Sequence, residues 1–511
     1  MGNLSSSLGI GLSGLQASQE AISVIGHNIA NVNTPDFSQQ QAVLTSGQAL
    51  NYSGIMFGTG VTVSSVQALR DQFLNLQVTQ SLCGQSGAQT TYQGIQAVTP
   101  AFTDDGTTGL NTSISNFFSS LSTLAGNPTS AALSENVVGA AQGMLQQFQT
   151  SYQTVTGQIT SANEQVGSLV PEINTLTSQI ATLNTSISQQ LDPTADNDAI
   201  DQRQELTDQL ASLVGIQVST DSNNNYQITL DSGAATLVSG GNAYQMVATP
   251  NGALGNNYGV TVVTGASSTN VTDSISGGQL GADLNLRDNL LPAYSSQLDT
   301  IAGSLVNQVN KLNMAGFGTD ANGNSVTGTP FFTGTGIDAN ADANFGYVNL
   351  PNNALPASAA NAPIYSGIIN SLVVNPAIVA TPTLIASAST ANTPGDNSNV
   401  MNLANLQTAL GTVDTNDDGT GDSGPFSTVV SGLINDVGTQ SQKYNSIATN
   451  QQNLTTALQT QQTSVSGVDL DQQAAQLLQF QQAYQASAQF ISTISQLTQS
   501  LLTAVTAAAA G

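Results

Sequence analysis

A long run of apolar residues spaced three and four apart is the feature that most constrains the fold of this chain. The run comprises Tyr152, Val155, Ile159, Ala162, Val166, Leu169, Ile173, Leu176, Ile180, Leu183 and Ile187. This spacing places the apolar side chains on one face of an α-helix, and its persistence over about five heptads is typical of a coiled coil. The sequence therefore predicts a helical rod of roughly 50 Å, bent near Pro171, where proline removes a backbone hydrogen bond.

Helical periodicity recurs in further segments that begin near Asp201, Gly281, Asn399 and Phe426. Such helices pack most simply as an antiparallel bundle. Between them, residues 216–280 alternate apolar and polar side chains around Asn and Gly turns, which is typical of antiparallel strands. The fold class that these patterns predict is α+β.

The two ends of the chain carry apolar stripes of their own, each with a period of seven. They consist of Leu8, Leu15, Ile22 and Ile29 near the amino terminus, and of Leu470, Leu477, Tyr484 and Ile491 near the carboxyl terminus. The simplest way to bury both stripes is to pack the two helices against each other. We therefore expect long amino- and carboxy-terminal helices that pair into a coiled coil, with the middle of the chain looping out between them.

Together the patterns predict the domain organisation. Residues 1–50 and 456–511 form a terminal helical domain, residues 51–215, 281–318 and 396–455 a helical bundle, residues 216–280 an inserted β domain, and residues 319–395 a second insert. The second insert is rich in Gly, Asn, Ala and Pro with short runs such as YVNL, so it is either β-rich or irregular.

The charge balance argues against several classes of partner. The 511 residues include 31 acidic and only five basic ones, for a net charge of -26, and 7% of residues are charged. Nucleic acids and anionic membranes are bound through clusters of Lys and Arg, so neither is expected as a partner. Neutral polar residues replace the usual charged surface, which is compatible with dense self-packing and equally with an extracellular or acidic habitat.

No catalytic residue, cofactor site or metal site is expected from the sequence. His27 and Cys83 are the only residues of their types, so zinc and iron–sulfur ligand sets are lacking. GIGLSG, residues 9–14, matches a dinucleotide fingerprint, but no strand precedes it, and small residues for close helix packing are the preferred interpretation. Residues 414–419 match half of a calcium loop whose glutamate position is Pro425, so a polar turn is preferred there.

Neither a cleavable secretory signal nor a membrane-spanning helix is expected. No basic residue precedes Arg70, whereas a signal peptide begins with a basic segment. No uninterrupted apolar window of about 18 residues occurs either.

One short stretch near the amino terminus, NIANVNTPDFSQQQ, ends the first predicted helix at Pro35. With the preceding residues it resembles the amino-terminal signature of the axial proteins of the bacterial flagellum, which are the rod, hook and hook-associated proteins. Asn28, Asn31, Thr34 and Pro35 stand at motif positions, and Asp36 replaces the usual glycine. LLQFQQAYQASAQFI, residues 477–491, is similar to the matching carboxy-terminal signature.

Internal stretches narrow the resemblance to the hook-associated protein 1 family. They are FGTGVTVSSVQALRDQFL, INTLTSQIATLN, DQRQELTDQLASLVGI, LDTIAGSLVNQVNKLN and GDNSNVMNLANLQ, in that family's order. The resemblance implies a structural protein, not an enzyme, that forms a ring of identical copies at the hook–filament junction. The expected assembly residues are Leu8, Leu15, Ile22, Asn28, Ile29, Asn31, Thr34, Pro35, Leu477, Phe480, Tyr484 and Ile491.

The same resemblance implies the partners and the location. Hook protein and hook-associated protein 3 are the expected neighbours, and a flagellar export chaperone accompanies secretion through the type III apparatus to an extracellular position on the flagellum. Two other interpretations stay open: a flagellar hook or filament protein, and an enzyme displayed on the flagellum.

Overall fold

A computed structural model of the chain describes residues 2–52, 55–190, 196–252, 255–334, 367–408, 411–413 and 422–509. Its α-helices are α1 Gly2–Ala30, α2 Gln72–Val98, α3 Leu110–Gly126, α4 Ala131–Ser188, α5 Asn197–Leu213, α6 Gly278–Asn285, α7 Leu291–Ala315, α8 Pro376–Ala380, α9 Ser398–Asn405, α10 Phe426–Ser466 and α11 Leu470–Ala509. A π-helical turn, Leu286–Leu290, joins α6 to α7. Long helices therefore dominate the fold.

The strands are short and form small antiparallel sheets. They are β1 Gln40–Ser46, β2 Leu50–Tyr52, β3 Ile55–Phe57, β4 Val61–Ala68, β5 Ile216–Thr220, β6 Tyr226–Leu230, β7 Thr236–Ser239, β8 Asn242–Ala243, β9 Gln245–Pro250, β10 Tyr258–Thr264, β11 Ser267–Asn270, β12 Phe317–Thr319, β13 Ser325–Thr327, β14 Phe332–Thr333, β15 Val373–Val374, β16 Gly411–Val413 and β17 Asp422–Gly424. The largest sheets have the orders β5-β6-β7-β8 and β11-β10-β9. The predicted α+β class is confirmed.

The chain divides into two compact units. The first consists of residues 1–87, 167–281 and 449–511, and the second of residues 88–166 and 282–448. The four-part division expected from the sequence is finer than this one and stays a prediction. The run YVNL and the half calcium loop at residues 414–419 lie outside the described residues.

The periodic run from Tyr152 to Ile187 lies within the helix α4, as its spacing predicts. Val155, Val166 and Ile180 are fully buried, because a stripe of period 3.5 to 3.6 stays on one side of the helix. The exposed Pro171 lies inside α4 without ending it.

The second unit is built around an aromatic cluster. Phe117, Phe118, Phe331 and Phe332 are fully buried, and their ring centroids lie 4.8 to 5.9 Å apart in tilted or edge-on pairs. Such pairs bury large apolar areas and favour these orientations over face-to-face stacking. The core of this unit draws only on residues between Ile95 and Val437.

The hairpin formed by β1 and β4 in the first unit was not expected from the sequence. Gln40 pairs with Ala68 at one end and Ser46 with Val61 at the other, with a register shift after Val43. The strands are half-exposed and rich in Gln, Ser and Thr, so their apolar alternation is weak. None of the described helices is long and apolar enough to cross a membrane.

Candidate assembly site at the chain termini

The terminal helices α1 and α11 pack against each other in antiparallel orientation. A Cβ atom placed on Gly11 would lie 2.8 Å from Cγ1 of Ile491. At the other end of α1, Nδ2 of Asn28 donates a hydrogen bond to Oε1 of Gln473 at 3.0 Å. Residue numbers therefore rise along α1 as they fall along α11, and the predicted pairing of the two chain ends is confirmed.

The side of α1 that meets α11 carries mostly small residues. This seam consists of Gly11, Gly14, Ser18, Ala21, Ile25 and Asn28, all buried except the half-buried Gly14. A Cβ atom on Gly14 would lie 3.0 Å from Oγ of Ser487, so the missing side chain is what permits the close approach. Close helix packing, the preferred interpretation of GIGLSG, is confirmed.

The expected assembly residues of α11 lie on the side that faces this seam. Leu477, Phe480 and Ile491 are half-buried, and Tyr484 is 37% exposed. They share spacings of three, four and seven with Gln473, whose side chain is fully buried. The stripe on α11 thus supplies larger side chains opposite the small residues of α1.

The expected assembly residues of α1 lie beside the seam rather than on it. Leu8 is 43% exposed, and Leu15, Ile22 and Ile29 are half-buried. Their heptad is offset by three positions from that of Gly11, which turns them about 60° around the helix. A role for these residues in contacts between copies stays a prediction.

The hairpin of β1 and β4 lies against another side of α1. The backbone N–H of Val61 donates to Oγ of Ser13 at 3.2 Å, and the same hydroxyl donates to the carbonyl of Ile10 at 2.9 Å. Helix α1 is therefore covered by α11 on one side and by the hairpin on another, while the leucine side is less covered.

Residues 28–41, which we call the terminal elbow, carry the chain from α1 into β1. Nδ2 of Asn31 donates to the carbonyl of His27 at 3.1 Å, and Oδ1 of Asn31 accepts from the Thr34 hydroxyl at 3.2 Å. Asn31 therefore caps the end of α1. Thr34 and Pro35 are exposed, and the His27 ring packs edge-on against Phe37 at 5.4 Å.

The buried side chain of Asn28, at the start of the terminal elbow, forms three hydrogen bonds. Its Oδ1 accepts from the backbone N–H of Gln40 at 2.9 Å, and its Nδ2 donates to the carbonyl of Gln40 at 2.8 Å. The amide thus pairs with a strand residue as a neighbouring strand would. Because Nδ2 also donates to Gln473, one buried side chain links the first helix, the first strand and the last helix.

A second set of bonds ties the terminal elbow to the helix α5. Asp201 accepts from the backbone N–H and the hydroxyl of Ser38, each at 2.9 Å. It also forms an ion pair with Nε of Arg70 at 2.7 Å, and both side chains are largely buried. Arg70 in turn donates to Oδ1 and the carbonyl of Asn197. A charge-assisted, multiply bonded pair of this kind fixes geometry more firmly than a surface pair.

Asp36, which replaces the glycine of the related motif, keeps the backbone conformation that favours glycine. Its φ is +55°, and Asp is one of the few other residues that adopt this left-handed conformation at a modest cost. Burial raises the pKa of its carboxyl, and the nearby Glu205 and Asp201 raise it further. The substitution therefore leaves both backbone strain and like-charge repulsion in the terminal elbow.

We expect Asp36→Gly to stabilise the folded chain by about 1 kcal/mol at pH 8, since it relieves the left-handed strain of a non-glycine residue and removes the carboxylate. The measurement is chemical denaturation at pH 8 and pH 4. Because a raised pKa destabilises the fold only where the carboxyl ionises, the charge part of the gain should be smaller at pH 4 than at pH 8. Asp36→Asn, which tolerates the same conformation, isolates the charge part; destabilisation by Asp36→Gly at both pH values would contradict the expectation.

A buried carboxyl lies close to the terminal elbow. Asp208 on α5 accepts hydrogen bonds from the Thr79 hydroxyl and from Nε2 of Gln204. Burial, with a further contribution from Asp36, raises its pKa to about 7. Both donors are neutral, so neither balances the charge when Asp208 ionises. Among the described residues, no group of three or more His, Cys, Asp or Glu side chains is placed to hold a metal ion.

Four important residues of this site were missed from the sequence: Gln40, Arg70, Asp201 and Gln473. Arg70 alone carries a signal, because it is one of only five basic residues and a rare cation in a charge-poor chain is expected to have a fixed partner. The others look like ordinary polar residues, and their partners lie up to 445 positions away.

Comparisons with known proteins agree with this geometry. The family model for a flagella basal body rod protein matches residues 8–38, and the one for the flagellar basal body rod FlgEFG protein C-terminal matches residues 448–504. These ranges contain most of α1, most of the terminal elbow and most of α11. They define the class, a structural protein of the flagellar axis.

The middle of the chain shows which proteins of that class it is similar to. The family model for the flagellar hook-associated protein FlgK helical domain matches residues 95–332. Flagellar hook-associated protein 1 of Escherichia coli K12 is 28% identical, and the match covers 98% of this chain and 100% of that protein. The protein of the same name from Bacillus subtilis 168 is 24% identical, and the match covers 93% of this chain and 94% of that protein. Over nearly its whole length the chain is therefore similar to flagellar hook-associated protein 1, and it has a structural role at the hook–filament junction.

A solved structure has the same fold. The flagellar hook junction protein FlgK from Burkholderia pseudomallei matches with a TM-score of 0.62 and 19% identity, covering 78% of this chain and all of that one. At 19% identity, this comparison shows a shared fold and nothing more.

Proposed function

We propose that copies of this chain assemble into a ring at the hook–filament junction by packing the uncovered apolar sides of α1 and α11 against their neighbours. The observation that supports the proposal is the exposure of large apolar side chains on two helices that already pack together. Leu8 and Leu12 of α1 are 43% and 49% exposed, and Leu478 and Leu497 of α11 are 60% and 52% exposed.

Exposure on this scale favours association. Fully burying one leucine stabilises by about 1.5–3 kcal/mol, and contiguous exposed apolar patches usually mark contact sites. Further exposed apolar residues of α11 are Leu470, Phe490, Leu501, Leu502 and Val505. Neighbouring copies that cover these residues would bury apolar surface that is exposed in the single chain, and this burial would stabilise the assembly.

The near-absence of charge on the two helices removes the usual obstacle to packing identical surfaces. The acidic residues and histidines of these helices are Glu20 and His27 in α1 and Asp471 in α11, and neither helix contains Lys or Arg. Identical copies placed side by side therefore meet little like-charge repulsion along these helices, despite the net charge of the whole chain.

The finer parts of the proposal follow from the family. Hook protein on one side and hook-associated protein 3 on the other are the proposed neighbours, with a flagellar export chaperone before secretion to an extracellular position. We infer neither nucleic acid nor membrane as a partner. In support, Arg70 and Arg287 form ion pairs with Asp201 and Asp288, and Arg203 is fully buried. We infer a structural role and not an enzymatic one.

The test replaces exposed leucines on the terminal helices. We expect Leu8→Ser with Leu478→Ser and Leu497→Ser to leave the unfolding transition of the isolated chain nearly unchanged, because these side chains are largely exposed, and to reduce filament-bearing hooks strongly. The measurement is electron microscopy of cells that carry the variant as their only copy.

A control variant changes exposed apolar residues of the second unit. Met401→Ser with Val379→Ser replaces side chains that are both 42% exposed, and we expect normal filaments. Normal filaments on the terminal-helix variant as well would refute assembly through these surfaces.

A further inference from the structure

The small and apolar side chains of the seam between α1 and α11 specify its register only weakly. Its small residues recur every seven positions, as in Gly11 and Ser18 or Gly14 and Ala21, and the facing residues of α11 recur likewise. A slip of seven residues would again place small side chains opposite larger ones. Packing alone therefore distinguishes poorly between the observed register and its neighbours.

Asn28 and Gln473 break this periodicity. Their hydrogen bond of 3.0 Å joins two side chains that are 1% and 0% exposed. After a slip of seven residues, Asn28 would face the aromatic ring of Phe480 or the region before α11 begins. The second Nδ2 hydrogen of Asn28 would then lose its acceptor, and buried polar groups without partners are costly.

Asn28 is itself held in place by the backbone of Gln40, which accepts from Nδ2 and donates to Oδ1. The position of Asn28 is thus set by the first strand and not only by α1. On the other helix, Nε2 of Gln473 has no hydrogen-bond partner among the described residues although it is buried. A fold that keeps a buried polar side chain at such a cost resembles coiled coils in which one polar residue specifies register.

We propose that the Asn28–Gln473 pair sets the register of the terminal helices, so that every copy presents its exposed leucines at the same height for assembly. Gln473 is then a positioning residue: it contacts Asn28 inside the chain and acts on assembly through the placement of Leu478 and Leu497. The inference rests on the proposed assembly role but concerns a separate property, the alignment of two helices within one chain.

Disulfide formation can report the register. A Cβ atom on Gly14 would lie 3.8 Å from Cβ of Ser487, which is the usual Cβ separation in a disulfide. Gly14→Cys with Ser487→Cys therefore reports the observed register. Gly14→Cys with Phe480→Cys or with Ile494→Cys reports a shift by one heptad. All three pairs are placed in a Cys83→Ser background of the purified full-length chain and oxidised with diamide.

The test variant is Gln473→Met, which keeps the length of the side chain but removes the acceptor and leaves the Asn28–Gln40 bonds intact. We expect the heptad-shifted disulfides to rise roughly tenfold or more, the factor expected when one buried polar group no longer favours a single register. The matched control is Gln476→Met, a half-buried glutamine three positions along α11, which should leave only the 14–487 product. Gln473→Leu serves as a second variant, and far-UV circular dichroism checks helix content.

Each other result overturns the proposal. If Gln473→Met gives only the 14–487 product at the parental yield, the register does not depend on the pair. If every disulfide is lost, or if the parent fails to form the 14–487 product, the pair does not align two packed helices. These outcomes are read on the purified chain, so they are independent of filament formation, on which the proposed function depends.

Discussion

Deleting residues 470–511 is expected to abolish incorporation into the flagellum while the second unit stays folded. The deletion removes all of α11 with its exposed leucines and uncovers the small seam of α1, so the larger part of the assembly surface is lost. Among the described residues, the buried core of the second unit ends at Val437 and the half-buried Tyr444 packs against it, so the deletion leaves this packing untouched. Electron microscopy should show hooks without filaments, and circular dichroism of the purified truncated chain should still show a cooperative transition.

A shorter deletion provides the control. Removing residues 504–511 leaves the α11 positions from Gln473 to Ile494 that face α1, and it takes away only the exposed end of the helix. We expect this chain to support filaments far better than the longer deletion. Normal filaments on the chain that lacks residues 470–511 would be incompatible with assembly through α11.

The first unit is expected to be most stable in acid and to weaken as the pH rises towards 8. Asp208 has a folded-state pKa of about 7 against an ordinary value of 3.8. Below pH 4 the carboxyl is protonated in both states and the stabilisation is complete; it is lost as the pH rises through 7. A rise of this size corresponds to about 4 kcal/mol between the two limits. Denaturant titrations at pH 4, 6 and 8 measure the slope.

Asp208→Asn should remove most of this dependence. The amide oxygen can still accept from Thr79 and Gln204, and Asp36 and Tyr226, the titratable groups whose charges interact with Asp208, stay in place. We therefore expect the variant to match the parent at pH 4 and exceed it by a few kcal/mol at pH 8. Glu172→Gln, at an exposed position on α4, should change neither value. Equal pH slopes for parent and Asp208→Asn would show that another group is responsible.

The second unit is expected to show the same sign. Burial raises the pKa of Asp283 to about 7 and that of Asp299 to about 6. Asp299 accepts from the backbone N–H groups of Gly367 and Ile369, which limits its rise. A chain with five basic residues has few cations that could pair with buried carboxylates. In both units, buried Asp side chains therefore have raised pKa values.

The helical part of the fold could be predicted because its signal is local. The run from Tyr152 to Ile187 and the stripe through Leu477 and Ile491 repeat over many turns, and such patterns report which side of a helix is buried. The stripe of α1 was harder, since the side that meets α11 is made of Gly11, Ser18 and other small residues. Hydropathy does not identify such positions, because small residues contribute to packing through their size and not through their apolarity.

The terminal elbow could be located from the sequence but its bonding could not. Pro35 and Asn31 mark the end of α1 by local stereochemistry. The partners of Ser38 and Gln40 lie on α5, 163 and 158 positions away, and no short-range pattern encodes such pairs. The β1–β4 hairpin was missed because its polar, half-exposed strands lack the regular alternation that identifies a buried sheet.

The antiparallel seam also determines when, during synthesis of the chain, α1 can pack against α11. Asn28 and Gln473 are separated by 445 positions, so the first helix waits for its partner until almost the entire polypeptide has been made. A product that ends anywhere before α11 leaves Gly11 and Gly14 bare and the leucines of α1 without their counterparts. The contact between α1 and α11 therefore acts as a check on length, because only a chain that extends through α11 can form it.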